Sequence, residues 1–427
     1  LKFFGNVNNG TGDNYAGALY VSQASNFVIN SVIFDSNGAV GASADNGYEG
    51  RGGAVAVIES DVTFSDCEFK GNNAQNGERP GGLSTNASAY GGAVFVYLGN
   101  VTFSNSTFFS NTVTKRENGT ASGGAIFAYA PASLTISGCT FEGNTTQNWG
   151  GALRAEGGNL VLSNNVFTGN SASENGGGVE FNNVESAAFS ECTFSKNTAA
   201  TGGAIHLSNN SRNIVISESV FTENEATTLA AGISVSTSQN SIVITQSEFM
   251  LNNCKGGTEC RGGAIGIDNN ASATIVNSLI TKNNAKSYGG GLYVRNDSSA
   301  NLIFSTLADN TTDGSSSTTG SGIHNYDSAV TNIYSSIVHG NGPANQTQNN
   351  TNSATNVTYS LFQGGYSGTG NINADPLFVD RAANDYHLGA GSECIDKAGT
   401  AAENPVIDLD GKTRPDGSGF DMGCYEF

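Results

Sequence analysis

Three polar residues occupy the same position in successive copies of a repeat and could act on a sugar. Arg154, Glu180 and His206 each follow a Gly-Gly step by a few residues. If these segments are strands, alternation places all three side chains on the outward side. A carboxyl group and an imidazole at one glycosidic bond could serve as general acid and general base. The alternative is an ordinary outward strand face without catalysis.

Aromatic residues occupy equivalent outward positions nearer the two ends of the repeat array. They are Tyr97, Tyr129, Tyr293 and Tyr326. Aromatic rings stack on the apolar faces of pyranoses, so these four are candidate sugar-binding residues. No cluster of carboxylates suited to calcium accompanies them. We therefore predict no metal site, no cofactor and no catalytic turnover of acidic polysaccharides, which makes the chain non-enzymatic.

A two-part repeat must position these residues. Its first part is a Gly-Gly-Ala step followed by alternating apolar residues, and its second part is Phe-x-x-Asn. Copies return at intervals of roughly 25 to 39 residues, which is typical of solenoids and propellers. One period, residues 151–175, holds three short apolar stretches separated by turns. We predict an all-β, single-stranded right-handed parallel β-helix (a solenoid) of about twelve rungs with a C-terminal capping segment.

The recurring aromatic and amide residues are predicted to be structural. A Phe at one rung position meets the Phe of the next rung and builds an aromatic column in the core. The Asn falls at a corner, where we expect a left-handed backbone and amide hydrogen bonds between rungs. The predicted ladder includes Phe141, Phe167, Phe194, Phe221, Asn144, Asn170, Asn197 and Asn224.

Charge and hydropathy exclude several classes of partner. The net charge is −19, with only 18 Lys and Arg residues. Nucleic-acid binding requires basic residues that neutralise phosphates, so we predict no nucleic-acid partner. No stretch of about 18 apolar residues is present, so we predict no membrane insertion.

The seven cysteines fall into two groups. The first group precedes the Phe of a repeat by two residues and is predicted to be buried thiols: Cys67, Cys139 and Cys192. The others are predicted to form two disulfides, Cys254–Cys260 and Cys394–Cys424, because each pair brackets a segment. Two disulfides favour an oxidising, extracellular setting.

Insertions and the C-terminal region depart from the repeat. The insertions are predicted to emerge along one side of the coil, which favours a binding face, the alternative being tolerated surface drift. They are residues 38–50, 73–90, 112–122, 253–261 and 311–320. We assign residues 1–372 to the β-helix and residues 373–427 to a cap that protects the strand edges of the last rung.

The first residues already match the second part of the repeat. Phe3-Phe4-Gly5-Asn6 reads as Phe-x-x-Asn, so the chain is expected to begin partway through a rung. Either something precedes Leu1 in the native protein, or another molecule covers that end. A second copy in a head-to-tail contact would build a filament.

The paired Gly-Gly-Ala-(Ile/Leu/Val) and Phe-x-x-Asn signatures over residues 3–341 resemble the repeats of polymorphic outer-membrane proteins of chlamydial type. That resemblance implies a right-handed β-helical surface protein or adhesin. The C-terminal motifs Asp375-Pro376-Leu377-Phe378 and Asp408-Leu409-Asp410-Gly411 are similar to those of β-helix proteins with a choice-of-anchor ending. That second resemblance implies a secreted or surface protein.

The first functional hypothesis is therefore a non-enzymatic structural or adhesive β-helical protein, located extracellularly or at the cell surface. Its partners would be copies of itself, surface glycans, or proteins of a host or neighbouring cell. One alternative is a carbohydrate-binding or polysaccharide-degrading β-helix enzyme, and another is a passenger fragment of a longer surface protein. Asn-x-Ser/Thr sequences supply candidate glycosylation sites at Asn9, Asn86, Asn118, Asn270 and Asn345.

Overall fold

A computed structural model describes residues 1–42, 48–77, 87–116, 119–236, 241–257, 259–313, 319–343, 345–400 and 404–427. The chain forms two compact units, Leu1–Arg212 and Asn213–Phe427. In each unit, short strands of successive rungs pair in parallel and in register. The fold is all-β, a right-handed parallel β-helix, as predicted. No α-helix occurs among the described residues.

Four sheets run along the coil of the first unit. The Gly-Gly sheet follows the Gly-Gly steps and comprises Leu19–Ser22, Val55–Ile58, Val94–Tyr97, Ile126–Tyr129, Leu153–Glu156, Val179–Asn182 and Ile205–Ser208. The middle sheet comprises Phe27–Asn30, Val62–Ser65, Asn100–Ser104, Ser133–Ser137, Asn159–Ser163 and Ser186–Ser190. The Phe sheet comprises Lys2–Phe4, Ile33–Asp35, Glu68–Lys70, Thr107–Phe109, Thr140–Glu142, Val166–Thr168 and Thr193–Ser195. The corner sheet comprises Val7–Asn8, Gly38–Val40, Asn73–Gln75, Thr112–Thr114, Thr145–Thr146, Ser171–Ala172 and Thr198–Thr201.

A further small sheet lies outside this coil. This outer sheet contains Asn14–Tyr15, Gly50–Arg51, Ala89–Tyr90 and Ala121–Ser122. Beyond Ala121–Ser122, single parallel bridges continue this sheet. They join Ser122 to Trp149, Trp149 to Asn175 and Asn175 to Thr201. The sequence predicted three strands in a rung. The corner and outer strands are additions, and they come from the segments between the Asn and the next Gly-Gly step.

The second unit repeats the four coil sheets. Its Gly-Gly sheet comprises Ile233–Ser236, Ile265–Asp268, Leu292–Arg295, Gly320–Tyr326 and Asn345–Asn350. Its middle sheet comprises Ile214–Ser217, Ser241–Thr245, Ser272–Val276, Ser299–Ile303, Val330–Tyr334 and Ala354–Thr358. Its Phe sheet comprises Val220–Thr222, Glu248–Met250, Leu279–Thr281, Thr306–Ala308, Ile337–His339 and Leu361–Phe362. Its corner sheet comprises Glu225–Leu229, Asn253–Cys254, Asn284–Ala285 and Thr311–Thr312.

The predicted aromatic column lies in the core. Phe167 stacks on Phe141 and on Phe194 with ring centroids 4.7 Å apart in both pairs. All three side chains are fully buried. In the second unit, Phe221 stacks on Phe249 with centroids 4.6 Å apart. Parallel pairing in register explains the columns, because it brings identical repeat positions face to face.

The Asn ladder forms, but the backbone conformation expected for it was wrong. The left-handed backbone belongs to the preceding residue, for example Gly143 (φ 62°). Asn144 is buried instead, and its Oδ1 accepts hydrogen bonds from both N and Nδ2 of Asn111, at 3.0 and 2.9 Å. Its own Nδ2 donates to the Phe108 carbonyl at 2.9 Å. Because the amide points inward, it gives hydrogen-bond partners to buried polar groups at the corner, which an exposed amide could not do.

Two cysteine predictions are confirmed and one is wrong. Cys254 and Cys260 are joined by a disulfide with Cα atoms 5.4 Å apart. The three cysteines of the first group are buried thiols, as predicted: Cys67, Cys139 and Cys192. Cys394 and Cys424 do not pair. Each is a buried thiol in a separate apolar cluster, Cys424 with Tyr386 and Cys394 with Met422.

Residues 373–427 pack on the side of the second unit. They hold one antiparallel strand pair, Phe378–Asp380 with Asp385–Leu388. The Cys424 amide donates to Thr306 Oγ1 at 3.3 Å and the Gly423 amide to the Ser335 carbonyl at 2.9 Å. These contacts are lateral, on the outward side of the Phe sheet, whereas the sequence predicted a cover for the strand edges of the last rung. The boundary at residue 372 stays a prediction.

Candidate functional site

The outward side of the Gly-Gly sheet in the first unit is covered over part of its length. Trp149 pairs with Ser122 and Asn175 in an outer row, and Trp149 and Ser122 both contact the outward side chain of Arg154. The guanidinium of Arg154 lies 4.3 Å from the centre of the Trp149 ring. The outer layer is built by the residue that directly precedes each Gly-Gly step. The prediction of an open strand face was therefore wrong in this stretch.

Arg154, Glu180 and His206 are neighbours in one register column, as their repeat positions predicted. They are only 6, 2 and 4% exposed. Arg154 donates to Ser122 Oγ at 2.7 Å and is ion-paired with Glu156. Glu180 accepts from Ser208 Oγ at 2.8 Å. A polysaccharide cannot reach side chains buried to this degree.

Burial also sets the protonation of this column. Desolvation raises the pKa of Glu180 to about 8, although Arg154 and Ser208 oppose the shift. Desolvation lowers the pKa of His206 to about 4. Both side chains are therefore mainly neutral at pH 7, as expected for groups that are shielded from water. The arrangement is that of a buried polar column in the fold.

An open cleft adjoins the covered stretch, within the first unit. We call it the aromatic cleft, and its volume is about 530 Å³, within the range of small-molecule sites. It is lined by Tyr15, Tyr20, Glu49, Arg51, Ile58, Tyr90, Phe95, Tyr97, Phe127, Tyr129 and Glu156. The outer sheet forms one wall of this cleft, and outward residues of the Gly-Gly sheet form its floor and other wall.

Two of the predicted sugar-binding residues meet in this cleft. The rings of Tyr97 and Tyr129 are nearly parallel, with centroids 5.7 Å apart and planes 9° apart. Tyr129 is 44% exposed and Tyr20, farther along the Gly-Gly sheet, is 53% exposed. The buried small residue Ala56 separates Tyr20 from Phe95 on the floor. Partly or fully exposed tyrosine rings therefore lie on three of the four rungs of the cleft, Tyr20 on the first and the stacked Tyr97 and Tyr129 on the last two.

Each charged residue of the aromatic cleft has an ion-pair partner, Arg51 with Glu49 and Glu156 with Arg154. Arg51 contacts Glu49 and the Tyr15 hydroxyl, and its guanidinium lies 4.7 Å from the centre of the Tyr15 ring. Burial and the Asp13 carboxylate raise the pKa of Glu49 to about 7, while the Arg51 contact favours its ionised form. With Glu156 included, the charged lining residues are two acids and one base. This balance does not favour an anionic ligand.

The other two predicted residues lie in a second, smaller cleft within the second unit. Tyr293 and Tyr326 line it together with two arginines, Arg261 and Arg295. Its volume is about 170 Å³. Tyr293 is buried and Tyr326 is exposed.

Sequence reasoning missed the outer wall of both clefts. Arg51, Tyr90, Arg261 and Tyr288 each directly precede a Gly-Gly step. The constant position before the step was the available signal, because residues that occupy one repeat position stack in one column. Two lining residues of the aromatic cleft, Glu49 and Tyr90, belong to insertions 38–50 and 73–90, and the role of these insertions as a binding face stays a prediction.

Other predicted features have varied outcomes. Of the candidate glycosylation sites, Asn9, Asn270 and Asn345 are exposed, whereas Asn86 and Asn118 lie outside the described residues. Over the described parts of the chain, no group of three or more His, Cys, Asp or Glu side chains is arranged to hold a metal ion. No helix there is long and apolar enough to cross a membrane.

A family model agrees with the fold. Residues 90–249 match the family described as "Right handed beta helix region". That stretch is similar to right-handed β-helices. Among solved structures, the chain is similar to pectate lyase Pel9A, with a TM-score of 0.39 and 11% identity over 93% of this chain and 88% of that one. No curated protein matches the chain. The narrower likeness to polymorphic outer-membrane repeats and to choice-of-anchor endings stays a prediction.

Proposed function

We propose that this protein binds neutral glycans in the aromatic cleft and does so without catalytic turnover. The observation that supports the proposal is the set of accessible tyrosine rings along the cleft, Tyr20, Tyr97 and Tyr129, beside charges that are already paired. Sugar rings stack on such faces, and the hydroxyl groups of the sugar can bond with the tyrosine hydroxyls and Glu156. The predicted adhesive role fits a binding protein of this kind. Its extracellular or surface location stays a prediction, as does head-to-tail assembly.

The size of the cleft suggests a short oligosaccharide segment. The strands that carry Tyr20 and Tyr129 lie three rungs apart in the Gly-Gly sheet. At about 4.8 Å per rung, three steps span roughly 14 Å. An extended ligand could therefore contact several rings at once, which favours a polymer or oligomer over a single sugar.

The test is calorimetric titration with neutral hexose oligosaccharides and with oligogalacturonates. The wild-type protein should bind at least one neutral series. Tyr129→Ala should weaken that binding about thirtyfold, since loss of a central aromatic contact costs about 2 kcal/mol. Phe109→Ala is the matched control, because Phe109 is similarly exposed (40%) but lies on the Phe sheet. Equal affinities of both variants would disprove the proposal, as would exclusive binding of oligogalacturonates.

A specific observation supports glycoside hydrolysis as a second candidate. Glu49 and Glu156 are carboxyl groups that line the same cleft, and hydrolases use such a pair. The raised pKa of Glu49 suits a general acid. Incubation with the same neutral oligosaccharides decides between the candidates. Reducing-end release that is abolished by Glu49→Gln would establish hydrolysis, whereas binding without release supports the binding protein.

A further inference from the structure

The smaller cleft of the second unit is built on the same plan as the aromatic cleft. Glu49-Gly50-Arg51-Gly52-Gly53-Ala54 has a counterpart in Glu259-Cys260-Arg261-Gly262-Gly263-Ala264. In each, the arginine pairs in parallel with a tyrosine of the next rung, Arg51 with Tyr90 and Arg261 with Tyr288. The correspondence thus extends from the sequence to the register.

The floors of the two clefts also correspond. A small outward residue follows each Gly-Gly-Ala step, Ala56 in one cleft and Gly266 in the other. The next rung places an aromatic ring there, which is Phe95 in the first cleft and Tyr293 in the second. One rung farther, an exposed tyrosine closes each cleft, Tyr129 and Tyr326.

The clefts differ at several matched positions, and one of these differences adds an arginine to the lining of the smaller cleft. Where the aromatic cleft has Tyr97, the smaller cleft has Arg295, in the same register position. Arg295 and Arg261 both line the smaller cleft, and the Arg261 guanidinium lies 5.8 Å from the centre of the Tyr293 ring. Each has an ion-pair partner, Asp268 and Glu259. The Nε of each has no hydrogen-bond partner among the described residues.

We propose that this smaller cleft is a second binding site, which takes the carboxylate-bearing ring of an acidic monosaccharide such as a uronic acid. Two guanidiniums can hold a carboxylate through their fixed N–H forks. Tyr326 offers an exposed face for the sugar ring. The volume of about 170 Å³ limits the occupant to a single small group. The inference shares with the proposed function the premise that this plan of cleft binds sugars.

His324 contributes a flat surface to this site. Its ring centroid lies 4.6 Å from that of Tyr288 and 5.7 Å from that of Tyr293. Its Nδ1 accepts a hydrogen bond from the Gly320 amide at 3.3 Å. Burial and the Arg261 charge lower the pKa of His324 to about 4, so the ring is neutral at pH 7. The two arginines therefore supply the cationic groups of the site.

The experiment compares D-galacturonate with D-galactose, which differ in the carboxylate, by NMR-detected titration of the whole chain at pH 7. Galacturonate should bind at least tenfold more tightly. The double variant Arg295→Gln/Asp268→Asn should abolish this preference, and the paired change avoids leaving the buried Asp268 carboxylate without its partner. Tyr326→Ala should weaken galacturonate binding while the Arg295–Asp268 ion pair stays in place.

Phe109→Ala is the control outside both clefts, and it should leave the galacturonate preference intact. Equal affinity for the two sugars, or a preference that survives the double variant, would overturn the inference. If neutral oligosaccharides fail to bind, only the proposed function is refuted, because galacturonate binding is tested with variants of the smaller cleft. The two results are thus distinguishable.

Discussion

At the scale of single residues, the aromatic column contributes most directly to stability. Phe167 is fully buried between two parallel rings of neighbouring rungs. We expect Phe167→Ala to lower the free energy of unfolding by about 3–5 kcal/mol, because it removes a buried ring and leaves a cavity. Val166→Ala on the same strand is the control, since Val166 points outward and is partly exposed. Urea unfolding of both variants checks the prediction. Similar losses would contradict it.

The buried column of Glu180 and His206 predicts a dependence of stability on pH. In the unfolded chain Glu180 ionises near 4.5, but in the folded protein near 8. The folded state therefore holds the extra proton between these values, and stability falls as the pH rises. His206 acts oppositely between about 4 and 6.5, because the unfolded imidazole is then protonated. The two slopes offset each other below pH 6.5, and the Glu180 effect is unopposed above it.

Glu180→Gln should therefore remove a decline in stability between pH 6.5 and 8, and it should stabilise the protein at pH 8. Urea midpoints measured every half pH unit test this, with the exposed Glu142→Gln as control. If the wild-type and Glu180→Gln curves run parallel across that window, Glu180 is not held neutral in the folded protein.

The sequence predicted on which side of a strand each residue lies better than it predicted what surrounds that residue. The Phe-x-x-Asn motif correctly placed the rings inside, since alternation fixes which side of a strand each residue faces. It misplaced the left-handed backbone by one position, because the inward amide of Asn144 has more partners than an exposed corner amide would have. Glu180 and His206 belong to the outward register column as predicted, but both side chains are buried, which alternation along the strand could not reveal.

At the scale of elements, residues 373–427 contain a buried ion pair of their own, whose arginine packs against Phe304. Arg414 and Glu426 are 3.5 Å apart and both side chains are fully buried. Arg414 also donates to the Gly423 carbonyl at 2.8 Å and lies over the ring of Phe304. Sequence spacing could not reveal this ion pair, because the fold of the segment brings its two partners together. Spacing alone instead suggested the cystine Cys394–Cys424.

Arg414→Ala should destabilise this segment by about 3–5 kcal/mol, because it leaves the Glu426 carboxylate buried without a cation. Limited proteolysis should then cleave within residues 373–427 at a protease concentration that leaves the wild-type protein intact. Lys412→Ala, an exposed neighbour, should behave as wild type. Unchanged cleavage in Arg414→Ala would show that the apolar clusters hold the segment without the ion pair.

At the scale of the whole molecule, the net charge of −19 acts against any polyanion. The proposed carboxylate site supplies local attraction through two arginines, while the long-range field of the chain repels a charged polymer. At about 0.01 M salt the screening length is roughly 30 Å, so a bound polymer lies within the electrostatic field of the whole chain. At about 1 M salt the screening length falls to roughly 3 Å.

Per uronate, polygalacturonate should bind more weakly than monomeric galacturonate at low salt. The difference should shrink as salt is added, and a neutral polysaccharide should show no such trend. Calorimetric titration at several salt concentrations checks this. Polymer affinity that falls with added salt would mean that a local basic surface outweighs the net charge.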